Sequence, residues 1–73
     1  TALHTLITAY EQRSDDRQAH LYARRQLALD PWREEAHRQL MRILARLGLH
    51  GEALAQYDAC RRLLRQELGV EPE

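Results

Sequence analysis

The sequence matches itself when it is shifted by 34 residues, and this internal repeat limits the possible folds more than any other feature. Residues that superpose agree in size and polarity more often than in identity. The matched pairs are Ala2 and Ala36, Leu6 and Leu40, Ile7 and Met41, Tyr10 and Leu44, Ser14 and Gly48, Ala19 and Ala53, and Ala23 and Tyr57. A pattern of core-sized residues that recurs in register predicts two copies of one structural unit.

Each copy is predicted to contain two helices, because apolar residues recur at helical spacing and strand-like alternation is never sustained. The predicted helices span residues 2–12, 16–29, 31–47 and 51–68. A unit of 34 residues with two helices is the signature of the tetratricopeptide repeat. We therefore predict an all-α fold, in which two helical hairpins form a right-handed stack of four helices.

Short polar residues, Pro and Gly mark the expected helix ends. Either Ser14 or Asp15 is expected to cap the second helix, because a short side-chain oxygen can accept a hydrogen bond from a free backbone N–H. Asp30 is predicted to cap a third helix that starts at Pro31. Gly48 is expected to take a left-handed conformation at the end of that helix.

We predict one tetratricopeptide-like domain over residues 1–73, with repeat one at about 1–30, repeat two at about 31–69 and a tail at 70–73. The fourth helix is expected to end at Gly69. The chain opens in helical pattern without an initiator Met, so we interpret it as a fragment of a longer protein.

The packing core is predicted from the positions that both copies share. Small residues allow the two helices of a hairpin to approach closely, and large ones fill the space between hairpins. The predicted core comprises Leu6, Ile7, Tyr10, Ala19, Ala36, Leu40, Met41, Leu44, Gly48, Ala53, Tyr57 and Cys60, with Leu54, Leu63, Leu64 and Leu68 also on the buried side of the fourth helix.

Charge and cysteine content narrow the functional classes. Eleven basic and eleven acidic side chains cancel, so the chain has no bulk attraction to nucleic acid or anionic lipid. Every basic residue is Arg, which suits bidentate carboxylate pairing or reflects genome composition. A single cysteine excludes an internal disulfide, and we expect a cytoplasmic setting, with no membrane span and no signal peptide.

The second half resembles a more specific family. Residues 28–41 read ALDPWREEAHRQLM, and the chain continues through Gly48, Tyr57 and Cys60 to ELGVEP at residues 67–72. This stretch is similar to the bacterial transcriptional activator domain, which occurs in regulators like the Streptomyces antibiotic regulatory proteins and in larger signalling ATPases. The resemblance implies a tetratricopeptide-like module that usually follows a winged-helix DNA-binding domain.

The third helix carries arginines at a spacing of four, which places them on one side. In tetratricopeptide proteins the first helix of each pair lines a concave groove, so these arginines could clamp an acidic segment or a C-terminal carboxylate of a partner. The alternative is a solvated face balanced by neighbouring acids. The predicted groove residues are His4, Thr8, Glu35, Arg38, Arg42 and Arg46.

Other candidate sites have plainer interpretations. The histidines lie at separate places along the chain, so we predict no metal and no other cofactor, and His37 is expected to serve packing. Cys60 is predicted to be a buried structural thiol. Trp32 could wedge between repeats, which we favour, or anchor a partner. The pairs Arg24-Arg25 and Arg61-Arg62 are read as solvated faces in preference to phosphate contacts.

No catalytic constellation and no Gly-rich phosphate loop are present in the sequence, so we predict no enzymatic activity and no small-molecule ligand. The expected function is protein–protein interaction or oligomerisation within a bacterial transcription regulator. The alternatives are a free-standing peptide-binding adaptor that uses Arg38 and Arg42, and direct binding of nucleic acid by this chain. Two repeats leave apolar faces open at both ends of the stack, so self-association is expected.

Overall fold

The computed structural model describes residues 2–67, which form four α-helices. These are α1 (Ala2–Gln12), α2 (Asp16–Leu29), α3 (Glu34–Arg46) and α4 (His50–Glu67). Each helix packs against the next along the chain, so α2 lies between α1 and α3, and α3 lies between α2 and α4. The predicted all-α helical repeat is confirmed. The predicted core residue Leu68, the predicted stop at Gly69 and the tail at 70–73 lie outside the described residues.

Both hairpins turn with the same backbone geometry, as the internal repeat predicts. In the second turn Gly48 has φ +78°, its N–H donates to the Ala45 carbonyl, and the Leu49 N–H donates to the Leu44 carbonyl. This pattern is the Schellman motif. In the first turn Ser14 takes the equivalent position at φ +58°, and its backbone N–H donates to the Glu11 carbonyl. The left-handed conformation predicted for Gly48 is confirmed.

Asp15 is the residue that caps α2, since its carboxylate accepts from the Gln18 N–H at 3.4 Å. The prediction had left Ser14 and Asp15 as alternatives. Ser14 occupies the left-handed turn position, which directs the chain so that Asp15 precedes the first turn of α2. Ser14 therefore ends α1, and Asp15 caps the start of α2.

The predicted start of α3 at Pro31, with Asp30 as its cap, is wrong. Asp30 ends α2, because its N–H donates to the Gln26 carbonyl at 2.9 Å. The Arg33 N–H then donates to the Asp30 carbonyl across a turn, and α3 begins at Glu34. The residue before a proline avoids helical geometry, and here the chain needs three residues to change direction. Trp32 lies in this turn with 65% of its surface exposed, so the favoured packing role is also wrong.

The main core lies where α1, α2 and α3 meet. It is formed by Ile7, Ala19, Ala23, Leu40, Ile43 and Leu44, with Leu3, Tyr10, Tyr22, Leu27, Leu47 and Ala53 packed around it. Tyr10 and Tyr22 stack with centroids 5.6 Å apart and planes 4° from parallel. Ala36, Cys60 and Leu64 are buried as predicted, and Met41 is half-buried. Ile43 is a fully buried core residue that the predicted stripe omitted.

Four predicted core residues lie at the surface, and one of them is Gly48 in the second turn. Leu6 is 40% exposed, Tyr57 39% and Leu54 70%. Leu6 is on α1, and Tyr57 and Leu54 are on α4, which are the first and last helices of the described residues 2–67. The positions equivalent to Leu6 and Tyr57 are Leu40 and Ala23, which are buried because they lie at the junction of α2 and α3.

Candidate interaction surfaces

Five of the six predicted groove residues take part in a ladder of polar contacts along the facing sides of α1 and α3, and the sixth, Arg38, pairs within α3. His4 Nε2 lies 2.9 Å from Glu35 Oε1. One turn along, the Thr8 hydroxyl donates to the His4 carbonyl at 3.0 Å and accepts from the Gln39 amide at 3.4 Å. The α1/α3 face is therefore a side-chain interface between the two hairpins.

Glu11 is the centre of this interface. Its carboxylate accepts from Arg46 at 2.5 Å, from Gln39 at 3.1 Å and from Arg42 at 3.5 Å, while its side chain is 11% exposed. Burial alone raises the pKa of Glu11, but the hydrogen bonds from Arg46 and Gln39 and the charges of both arginines outweigh burial, so its pKa falls below the ordinary value. Glu11 is held as a carboxylate that joins α1 to α3.

Arg46 connects a third helix to the same cluster. Its Nε donates to Asp16 Oδ1 of α2 at 3.1 Å. The hydrogen bond to Glu11, with that to Asp16, raises the pKa of the Arg46 guanidinium. The cluster thus fixes the N-terminus of α2 and the C-terminal half of α3 relative to α1.

The arginines predicted to clamp an acidic partner already have carboxylate partners in the chain. Arg38 pairs with Glu34 one turn before it, and Arg42 pairs with Glu11. A ligand carboxylate would have to compete with these contacts, so the face attracts anions less than the sequence spacing indicated. Peptide binding on this face stays a prediction with a weaker electrostatic basis.

The sequence interpretation missed Glu11, Gln39 and Gln26. Gln39 is 1% exposed and Gln26 is 2% exposed, and the Gln26 amide donates to Gln39 Oε1 at 3.4 Å. Gln39 lies three residues after Ala36 and four before Ile43, both of which are buried, so helical spacing alone could have placed it in the interior. Glu11 offered no such signal, because its partners are 28 or more residues away.

His37 links the turn before α3 to α4. Its Nε2 lies 2.7 Å from the Pro31 carbonyl, which can only accept, so this nitrogen carries the proton. The Nδ1 atom then accepts from the Gln56 amide of α4, also at 2.7 Å. The sequence predicts a packing role for His37. It is 5% exposed and adds two directed hydrogen bonds.

Cys60 is fully buried against α3, in agreement with its predicted structural role. Burial raises the pKa of the thiol, the charge of Glu34 raises it further, and Arg38 opposes both. A thiol with a raised pKa holds little of the reactive thiolate at neutral pH.

Within residues 2–67, no group of histidine, cysteine and carboxylate side chains has the arrangement needed to hold a metal ion. In the same part of the chain, no helix is long and apolar enough to cross a bilayer.

A different surface runs along α2, on the side away from its helical neighbours. Its exposed residues are Arg17, Gln18, Leu21, Arg24, Arg25, Ala28 and Leu29. Arg24 donates to Glu52 Oε1 of α4 at 2.9 Å, and Arg25 lies 5.3 Å above the Tyr22 ring. Neither pair covers the leucines, which are 55% exposed at Leu21 and 65% at Leu29.

Comparison with known proteins identifies the scaffold. The family model of the bacterial transcriptional activator domain matches residues 1–73, the whole chain. The chain belongs to this family. The bacterial transcriptional activator domain is a module of transcriptional regulators, so the resemblance carried by ALDPWREEAHRQLM and ELGVEP is confirmed. No solved structure matches the chain.

A curated relative of this activator domain is the transcriptional regulator RedD of Streptomyces coelicolor. The two sequences are 40% identical over 72 residues, which cover 99% of this chain and 21% of RedD. The chain therefore spans about a fifth of the length of this relative.

Proposed function

We propose that this domain is a helical docking module through which a bacterial transcriptional regulator associates with itself. The proposal rests on one comparison between equivalent positions of the two repeats. At the junction of α2 and α3, Ala23 is 1% exposed and Leu40 is 0% exposed. The positions 34 residues away are Tyr57 on α4 and Leu6 on α1, which are 39% and 40% exposed.

These two open positions correspond to the two sides of the internal junction, with the larger Tyr57 in place of Ala23. Tyr57 occupies the place on α4 that Ala23 occupies on α2, and Leu6 occupies the place on α1 that Leu40 occupies on α3. Placing α4 of one copy against α1 of a second copy would recreate the internal α2–α3 junction between molecules. Such a contact is head-to-tail, and repeat stacks gain stability from each neighbour added.

The experiment is sedimentation or light scattering of the chain over a concentration series. Association is expected to rise with concentration, and Tyr57→Arg or Leu6→Glu alone should abolish it, because each places a charge in an apolar contact. Leu21→Glu is the matched control, since Leu21 is more exposed and lies on α2 away from both faces. It should associate like the unmodified chain.

Mixing the variants tests the geometry. A Tyr57→Arg chain keeps its α1 face and a Leu6→Glu chain keeps its α4 face, so an equimolar mixture should form a dimer that neither variant forms alone. If the mixture stays monomeric while the unmodified chain associates, the head-to-tail contact is wrong. If the unmodified chain stays monomeric at every concentration, self-association is refuted.

A further inference from the structure

The exposed surface of α2 combines arginine and leucine in a regular row. Arg17, Leu21, Arg24 and Ala28 are spaced four, three and four residues apart, so they lie in line along one side of the helix. Leu29 lies beside the C-terminal end of this row, about 100° around the helix from Ala28, and is 65% exposed. We call this set, together with Arg25, the α2 outer face.

A cavity opens at the N-terminal half of this face, where α2 passes the end of α3. Its volume is about 510 Å³, and it is lined by Arg17, Gln18, His20, Leu21, Arg24 and Leu47. Leu21 and Leu47 form its apolar part, and Arg17 and Arg24 form its positively charged part. A few polar groups around an apolar depression are the common composition of a binding site.

The α2 outer face is positive although the chain as a whole is neutral. The acidic residue of α2 is Asp16, and its carboxylate is engaged by Arg46 of α3 at 3.1 Å. Glu52 of α4 balances Arg24. Arg17 and Arg25 have no carboxylate within ion-pair distance among residues 2–67, so their charges are available to an anionic ligand.

We infer that the α2 outer face binds an acidic amphipathic helix of another protein, with leucine-like side chains flanked by Asp or Glu. Leu21 and Leu29 are eight residues apart, which is about 12 Å along the helix and about 80° around it, so a partner helix that crosses α2 at an angle would contact both. Arg17 and Arg25 would pair with the flanking carboxylates, whereas Arg24 keeps its contact with Glu52. The inference rests on the proposed docking function but uses a surface separate from Leu6 and Tyr57.

The exposed leucines favour a peptide over nucleic acid. A DNA backbone offers phosphates to the arginines, but it offers nothing apolar to Leu21 or Leu29. A helix with both apolar and acidic side chains matches the exposed leucines and also Arg17 and Arg25.

The test uses a fluorescein-labelled synthetic peptide of about 18 residues, long enough for several helical turns, with leucines on one side and glutamates beside them. Anisotropy titration with the 73-residue chain is expected to show saturable binding that weakens with salt. The double variant Arg17→Glu/Leu21→Glu should weaken binding by about tenfold or more, the loss typical of central interface residues. Circular dichroism confirms that each variant keeps its helix content.

Two variants on α4 serve as controls. Arg62→Glu makes the same charge change on an exposed arginine, and Tyr57→Arg blocks the proposed self-association. Both should bind the peptide within about twofold of the unmodified chain, since surface changes away from an interface have small effects. Peptide binding by Tyr57→Arg therefore separates this inference from the proposed self-association.

Four outcomes would overturn the inference. They are the absence of saturable binding, equal binding of a scrambled peptide of the same composition, equal binding of a peptide with lysine in place of each glutamate, and binding unaffected by the double variant. A labelled DNA duplex that binds more tightly than the peptide and is lost in the double variant would assign the face to nucleic acid instead.

Discussion

Glu11 Oε2 and Arg46 Nη2 lie 2.5 Å apart, and this contact joins the first helix of one repeat to the first helix of the next. The same carboxylate accepts from Gln39, which is almost completely buried. The side of the stack that was predicted to bind a ligand is thus occupied by the chain's own ion pairs. These ion pairs are expected to stabilise the fold, and their contribution to the free energy of unfolding can be measured.

Glu11→Gln should lower the free energy of unfolding at pH 7 by about 1–2 kcal/mol, because the charged hydrogen bonds to Arg42 and Arg46 are lost while the amide oxygen can still accept from Gln39. The loss is smaller than for a fully buried pair, since water screens both arginines. Asp58→Asn is the control, because the Asp58–Arg62 pair is exposed and its atoms are 3.8 Å apart. It should cost less than about 0.5 kcal/mol.

The pH dependence of this difference has a definite sign. The pKa of Glu11 in the folded state is below its ordinary value of 4.5, so the unfolded chain binds more protons as the solution is acidified. The stabilisation from Glu11 is therefore complete above the unfolded pKa and is lost as pH falls through the folded pKa. Urea titrations should show the gap between the unmodified chain and Glu11→Gln closing below about pH 5. A gap that widens with acid would contradict this account.

The two turns give a matched pair of stability changes of opposite sign. Gly48→Ala should destabilise the chain by about 1 kcal/mol, because the left-handed conformation brings the Cβ of an L-residue too close to the backbone. Added Cβ contacts do not contribute, since no heavy atom lies within 4 Å of the position. Ser14→Gly should stabilise the equivalent turn by up to about 1 kcal/mol, because Ser14 already has φ +58°.

Gly51→Ala is the control for these turns, since Gly51 is helical and its Cβ would also enter open space. It should stabilise the chain by about 0.5–1 kcal/mol through helix propensity. Thermal unfolding followed by circular dichroism measures all three. If Gly48→Ala were as stable as Gly51→Ala, the left-handed turn would not be a determinant of stability.

His37→Phe should cost about 1–3 kcal/mol although it keeps an aromatic ring in the same place. It leaves the Pro31 carbonyl and the Gln56 amide without their partner, and an unmet polar group is expensive when part-buried. His50→Ala at the exposed start of α4 should change stability by less than about 0.5 kcal/mol. Urea unfolding followed by circular dichroism makes the comparison. Equal midpoints for His37→Phe and the unmodified chain would show that His37 acts by packing alone.

Much of the fold could be predicted because its signals are local. Helical spacing and the 34-residue shift gave the number of helices and the bounds of α1 and α2. The turn at Gly48 follows from glycine's access to positive φ. The start of α3 could not be predicted in the same way. Proline is compatible with both a first helical position and a turn, and the direction of the chain between α2 and α3 decides between them.

Ion pairs between residues that are far apart along the chain could not be predicted from the sequence. The spacing of Arg38, Arg42 and Arg46 showed that they share a helix side, but it did not show that Glu11 and Asp16 reach two of them from other helices. An ion pair leaves no periodic pattern, since either partner alone looks like an ordinary surface residue.

Leu6 and Leu40 show most clearly what the sequence alone can predict and what it cannot. They are the same residue at equivalent points of the repeat, and the sequence by itself determined that both point to the apolar side of a helix. Only the tertiary structure decided that Leu40 is buried and Leu6 is 40% exposed. Burial depends on which helix lies opposite: Leu40 lies in the core where α1, α2 and α3 meet, whereas Leu6 is on the first helix, and residues 2–67 supply no helix before it.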